Sequence, residues 1–268
     1  VLLAVDIGNT NVVFGLYEGQ DLKQTFRAST VSTRTADEYG VLMRQMLTLR
    51  GYDPSSVSAA IMASVVPPIT DVIADAVRHA FAREPLIVGP GLKTGIAVLY
   101  ENPRDVGADR ICNAVAAYEK VRGGVIVVDF GTATTFDCIS PKGEYIGGVI
   151  VPGIQVSLDG LLGRAAKLAR IEIAEPPRVV GRNTTHALQS GLIHGYAALV
   201  DGLVQKIEVE LAFPCAVIAT GTLIQHLLKH TKKVEAVEPF LTLNGLRILH
   251  ERNTLAEADT GRSRSRPR

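Results

Sequence analysis

The sequence predicts an α/β protein built from two similar halves. An apolar strand that ends in Asp and turns on a small polar run occurs twice, as Asp6-Ile7-Gly8-Asn9-Thr10 and as Asp129-Phe130-Gly131-Thr132. After each, strand patterns give way to helical ones, as expected of an internal duplication. The composition allows it: 47% of the 268 residues are hydrophobic, enough for a large core.

Residues 2–6, 11–17 and 22–29 read as three strands, because Val, Phe, Leu and Thr fill them and Gly, Asn and Asp separate them. Thr35 and Glu38 form a capping box, and a helix with Tyr39, Leu42, Met46 and Leu49 on one face follows, ended by Gly51. A strand over 57–65 runs into Pro67-Pro68; a helix over 69–83, a short strand over 86–88, a loop and a helix over 106–121 complete the first half. At Gly123-Gly124 the pattern restarts with three strands, turning at Gly131 and again at Pro141–Gly143. Residues 154–249 are mostly helical in pattern, with one apolar strand over 215–219. The expected organisation is therefore 1–122, 123–250 and a disordered basic tail over 251–268.

The charges nearly cancel at +1, so no global electrostatic case for nucleic acid exists, and the basic tail alone gives weak, salt-sensitive contact. No apolar run reaches the roughly 18 residues of a membrane span. The first apolar run is broken by Asp6 and has no basic segment before it, unlike a secretory leader. Cys112, Cys138 and Cys215 lie far apart in no CxxC spacing. They read as reduced, packed thiols of a cytoplasmic protein.

The repeated Asp-x-Gly points to phosphate. Gly8 and Gly131 let the backbone turn and a ligand approach, and successive N–H groups in such a turn can hold an anion. A carboxylate at the strand end fits if a cation lies between it and a phosphate. One such hairpin is equally an Asp that starts a turn; two matching ones, gripping one nucleotide from both sides, favour function. There is no GxxxxGK[ST] and no GxGxxG after either strand.

The stretch Asp6–Thr10 with Gly15 resembles the first phosphate motif of the type III pantothenate kinases, and 127–137 resembles their second. GADR at 107–110 and GGVIVPG at 147–153 match further family segments, in the family's order, and the resemblance covers about residues 1–250. It implies a duplicated ribonuclease H-like, actin-like ATPase fold with mixed sheets and an interdomain nucleotide cleft. It also implies ATP-dependent phosphorylation of pantothenate in the cytoplasm, by a homodimer that engages neither nucleic acid nor membrane.

The resemblance assigns residues as follows. Asp6, Ile7, Gly8, Asn9, Thr10, Asn11, Val12, Val13 and Thr132 belong to the ATP phosphate site. Asp109 is the proton acceptor, and Tyr100, Gly107, Ala108, Asp109, Arg110 and Thr184 meet pantothenate. Asp129 holds a monovalent cation, K⁺ or NH₄⁺, and Asp6 holds Mg²⁺ directly or through water. From the residues alone, Asp109 is equally a first-turn helix acid, Arg110 an exposed arginine, Tyr100 a half-buried strand-end residue and Thr184 an N-cap.

His226 and His230 stand at i, i+4, read as partly exposed helix residues rather than metal ligands. Lys229, Lys232 and Lys233 read as a solvated face, and Arg164, Lys167 and Arg170 as a basic surface edge. One departure stands out. Where the family's adenosine motif reads Thr-Gly-Gly-Leu-Ala, this chain has Thr220-Gly221-Thr222-Leu223-Ile224. Thr222 is strained, or blocks the base, if the second Gly supplies positive φ or a close approach. Two rival readings follow: another kinase or phosphohydrolase of the same superfamily, or a non-catalytic regulatory protein of the accessory transcription factor kind.

Overall fold

In a computed structural model, residues 1–165 and 168–264 are described, with the side chains of the last helix up to Leu255. The chain divides into two compact units. Val1–Ile96, Glu101–Ala116 and the last helix from Leu241 form the first; Ala97–Tyr100 and Ala117–Phe240 form the second.

The first unit opens with β1 (Leu2–Ile7), β2 (Asn11–Glu18) and β3 (Asp21–Ser29), an antiparallel meander. Helix α1 (Ala36–Leu49), strand β4 (Ala59–Ser64), helix α2 (Pro67–Phe81) and strand β5 (Pro85–Ile87) follow. The sheet order is β3-β2-β1-β4-β5, with β1, β4 and β5 parallel. Thr35 caps α1 through the expected box with Glu38. The buried stripe of α1 is Tyr39, Met43 and Leu47, while Leu49, expected on that face, is 79% exposed. Leu49 lies six residues past Met43, so at about 100° per residue it points some 120° away. Pro67 starts α2 at the position where its missing N–H costs nothing.

Alternation along β1 sets the site. Leu3, Val5 and Ile7 face the core under α1 and α2. Asp6 therefore lies on the opposite face of the strand.

The second unit begins with strand β6 (Ala97–Val98). Helix α3 (Ala108–Val121) begins in the first unit, and its last residues, from Ala117, fall in the second. Then come β7 (Gly124–Phe130), β8 (Ala133–Ile139) and β9 (Glu144–Pro152), again an antiparallel meander. Helices α4 (Ile154–Leu162) and α5 (Thr184–Leu211), strand β10 (Cys215–Gly221), the single turn α6 (Ile224–Leu227) and strand β11 (Ala236–Val237) follow. The sheet order is β11-β10-β7-β8-β9-β6. Without β6 this is the order of the first unit, meander strands and parallel strands matched one for one. Ile126, Val128 and Phe130 face the α5 core, so Asp129, like Asp6, takes the other face.

The final helix α7 (Leu241–Arg264) packs against β1 and β4. Two departures from the sequence reading follow. First, the chain does not break once at 122: α7 joins the first unit, and 97–100 joins the second through the pairing of β6 with β9. Gly245 explains the former, since a Cβ there would lie 2.1 Å from the Cys112 carbonyl oxygen, and Tyr17 Oη donates to Asn244 Oδ1 at 2.8 Å. Second, the tail expected to be disordered from 251 is helical to Arg264; residues 265–268 lie outside the described residues. Among the described residues no helix is long and apolar enough to cross a membrane. Cys112 and Cys138 are buried, and none of the three cysteines forms a disulfide.

Candidate active site

The two Asp-x-Gly turns are built alike. The Gly8 N–H donates to the Asn11 carbonyl at 3.0 Å, and the Gly131 N–H to the Ala133 carbonyl at 3.0 Å. The second turn is one residue shorter. Space at Gly8 is tight: a Cβ would lie 3.1 Å from the Asn11 carbonyl oxygen, so a side chain there would make the turn give by a few tenths of an ångström. Asn9, Thr10, Gly131 and Thr132 are exposed, while Asp6 and Asp129 are half-buried just before their turns. Ile7 and Val12 are buried in the hairpin and Asn11 and Val13 half-buried, so these four shape the turn from below.

Asp109 sits in the first turn of α3, where the helix N-terminus favours negative charge. Its Oδ1 accepts from the Arg110 N–H at 2.7 Å. Gly107 is packed against that carboxylate: a Cβ there would lie 2.5 Å from Asp109 Oδ1. Burial pushes the Asp109 carboxyl above its ordinary range, and Arg110 pulls it back only in part. Arg110 is 8% exposed, not the exposed arginine that its residues alone allow. Cys112, one turn further on, is fully buried; burial first, then the Asp6 and Asp109 carboxylates, pushes its thiol well up. Both carboxylates thus lie close enough to the Cys112 thiol to act on it, within the first unit.

In the second unit, Tyr100 packs tilted against Tyr145 with ring centroids 6.3 Å apart, and Tyr145 Oη donates to the buried Asp137 carboxylate at 2.7 Å. Thr184 is the exposed first residue of α5. It is not the N-cap: Asn183 Oδ1 accepts from the His186 N–H at 2.8 Å. The positive φ of the Thr220–Ile224 segment falls on Gly221 (+95°), where a Cβ would lie 2.5 Å from the Phe130 carbonyl oxygen. Thr222 has no positive φ and is exposed, so the expected strain is absent. Ile224, the first residue of α6, is buried.

The other charged candidates resolve as structure. Lys229 pairs with Glu175 at 3.0 Å and Lys233 with Glu208 at 2.6 Å, while Lys232 is exposed, so two of the three lysines of this solvated face are ion-paired. The His230 ring meets His194 edge-on at 4.6 Å and lies past the end of α6. Arg164 and Arg170 are exposed; Lys167 lies outside the described residues. Sequence reasoning gave no role to Asp137 and Gly153, although they close the motif segments 127–137 and 147–153, and it missed Tyr145 and Thr30, which lie in no motif.

The family model for type III pantothenate kinases matches residues 2–206. The chain belongs to the type III pantothenate kinase family. It is 52% identical over 253 residues to the type III pantothenate kinase of Myxococcus xanthus, covering 94% of this chain and 99% of that one. It is 46% identical over 254 residues to that of Moorella thermoacetica, covering 95% and 100%. Among solved structures it resembles a Campylobacter jejuni chain described as a Baf family transcriptional activator (TM-score 0.59, 18% identity, 94% and 98% covered). It also resembles the activator of 2-hydroxyisocaproyl-CoA dehydratase from Clostridium difficile with bound ADPNP (TM-score 0.54, 9% identity, 96% and 97% covered). These structural likenesses establish the fold, the duplicated one of the actin-like ATPases and sugar kinases, which agrees with the repeated strand order above.

Proposed function

We infer that the protein transfers the γ-phosphoryl group of ATP to the hydroxyl of pantothenate, giving 4′-phosphopantothenate, the first step of coenzyme A synthesis. The observation that carries this reading is the Asp109 carboxylate, seated by Gly107 at the start of α3, in a chain that matches the family along nearly its whole length.

In this reading Asp109 accepts the hydroxyl proton as the hydroxyl oxygen attacks the γ-phosphorus and the bond to the β-γ bridging oxygen breaks, releasing ADP. A carboxyl held above its ordinary range is a better proton acceptor than a solvated one. Arg110 holds the pantothenate carboxylate. Gly107, Ala108, Tyr100 and Thr184 bound the substrate.

The first hairpin, Asp6 to Val13, and the second, at Thr132, take the phosphates through turn N–H groups and hydroxyls. Asp6 is the Mg²⁺-side carboxylate and Asp129 the ligand for K⁺ or NH₄⁺. The donor set fits hard cations: half-buried carboxylates, each followed by exposed amide, hydroxyl or backbone oxygens. Such cations supply charge neutralisation of the phosphates.

A cytoplasmic homodimer completes the reading. The outer face of α5 carries exposed Ala187, Gly191, Gly195 and Ala198, and nothing lies within 4 Å of a Cβ built at either glycine. This smooth helix face supports close approach of a second copy; light scattering after gel filtration tests it. The reaction itself is tested by ³¹P NMR of the product: a phosphate ester on the primary alcohol of pantothenate supports the reading, and free phosphate alone contradicts it.

A further inference from the structure

In both units, the residue that follows the third meander strand closes back on the Asp-x-Gly turn. Thr30 follows β3. Its N–H donates to the Thr10 carbonyl at 3.0 Å, and its Oγ1 donates to the Gly8 carbonyl at 2.6 Å. Gly153 follows β9. Its N–H donates to the Thr132 carbonyl at 3.0 Å. The two residues are equivalent by register, because Ser29 pairs with Asn11 and Pro152 with Ala133, each the first residue of a second strand.

Their side chains answer two different needs. In the first unit, the longer turn leaves the Gly8 carbonyl within reach of a hydroxyl, and Thr30 supplies it. In the second unit, the shorter turn presses on the strand end. A Cβ at Gly153 would lie 2.4 Å from the Thr132 carbonyl oxygen and 2.5 Å from that of Gly131, so only Gly fits.

Holding these carbonyls has a consequence for the amides. No peptide bond in the described chain is cis. In a trans peptide the C=O and the following N–H point in opposite directions. With the Gly8 carbonyl turned to Thr30, the Asn9 N–H faces the other side of the turn; with the Thr132 carbonyl turned to Gly153, so does the Ala133 N–H. An exposed small-residue turn otherwise samples many orientations, and an anion would have to order it on binding. Fixing the peptide planes beforehand lowers that cost.

We propose that Thr30 and Gly153 are positioning residues that latch the two phosphate-binding turns in their anion-ready orientation. The inference rests on the reading of those turns as the ATP phosphate site. Neither residue touches the substrates in this account; each acts through a backbone carbonyl.

The decisive pair of variants is Thr30→Val, which keeps the shape and the N–H but removes the hydroxyl, and Thr30→Ser, which restores it. The readouts are the KM for ATP, the KM for pantothenate, ADP–Mg²⁺ affinity by calorimetry, and the melting temperature. Thr30→Val raises the KM for ATP and the ADP–Mg²⁺ Kd about tenfold, as loss of one ordering hydrogen bond to a binding turn implies, while the KM for pantothenate stays within about twofold. Thr30→Ser returns both nucleotide values to within about twofold of wild type. Unchanged nucleotide values in Thr30→Val, or an equal loss for both substrates that Ser does not restore, overturn the latch. Gly153→Ala weakens nucleotide binding in the same direction; if it does not fold, the Thr30 pair decides. A wild type that binds ADP–Mg²⁺ without turning over contradicts the kinase reading and leaves the latch to the calorimetric comparison. A wild type that binds no nucleotide overturns both.

Discussion

A Cβ on Gly107 would lie 2.5 Å from Asp109 Oδ1, so the absence of a side chain at one residue fixes where the carboxylate of another can stand. Gly107→Ala pushes the Asp109 carboxylate aside without touching the core. The expected outcome is a fall in kcat of about 10²-fold, the usual consequence of a catalytic group misplaced by about 1 Å, with little change in the KM for ATP. Steady-state kinetics beside a thermal melt check this; an unchanged kcat in a folded variant removes Gly107 from the account.

The raised Asp109 carboxyl predicts opposite pH effects on rate and stability. A proton acceptor must be ionised, so kcat/KM falls as pH drops through a pKa lying above the ordinary carboxylate range. For stability, the folded pKa exceeds the unfolded one. The stabilising contribution is therefore complete below the unfolded pKa and lost as pH rises through the folded value. Asp109→Asn is thus at least as stable as wild type at neutral pH, and its relative advantage fades in acid. Melting temperatures of both proteins across a pH series test the sign; a mutant less stable at pH 7 than at pH 4, relative to wild type, contradicts it.

At the altered adenosine segment the constraint lies on Gly221 rather than on Thr222. Gly221→Ala places a methyl against the Phe130 carbonyl at a positive φ and is expected to destabilise the protein and raise the KM for ATP. Thr222→Gly relieves no strain, because none is present. Its stability stays level or falls slightly, by about 1 kcal/mol at most from added backbone freedom. A marked gain in stability from Thr222→Gly would show that the threonine is strained after all.

Tyr145, whose ring packs tilted against that of Tyr100, donates a buried hydrogen bond from its Oη to Asp137. Tyr145→Phe deprives a buried carboxylate of a donor, an expected cost of about 1–3 kcal/mol in urea unfolding. It also loosens the support of Tyr100, so the KM for pantothenate rises more than that for ATP. Equal stability of the variant and wild type would mean that the bond contributes nothing net.

Much of this was legible because the decisive signals are local. The Asp-x-Gly hairpins, the Thr35–Glu38 box and the three-strand meanders each declare themselves within a few residues. What was not legible depends on distant packing or on very short elements. Two-residue strands such as Ala97–Val98 and Ala236–Val237 have no periodicity to read. The membership of α7 in the first unit depends on Gly245 against Cys112 and Asn244 against Tyr17, contacts between residues more than a hundred positions apart. The helix beyond residue 250 has no apolar periodicity to announce it; Leu255, Ala256, Glu257 and Ala258 are strong helix formers that continue a turn already nucleated. At the site, Asp109 and Arg110 were visible as a motif, but their burial was not. The roles of Thr30 and Gly153 emerge only once the third strands are seen to end at the turns.

The central claim is tested most directly by pantothenate-dependent ADP release, measured with Mg²⁺ and either K⁺ or Na⁺, for wild type and Asp109→Asn. The account predicts turnover that requires pantothenate, is stronger with K⁺ than with Na⁺, and drops at least about 10²-fold in the variant while ADP–Mg²⁺ binding persists. A folded wild type that releases no ADP in response to pantothenate, or a variant as active as wild type, would contradict it.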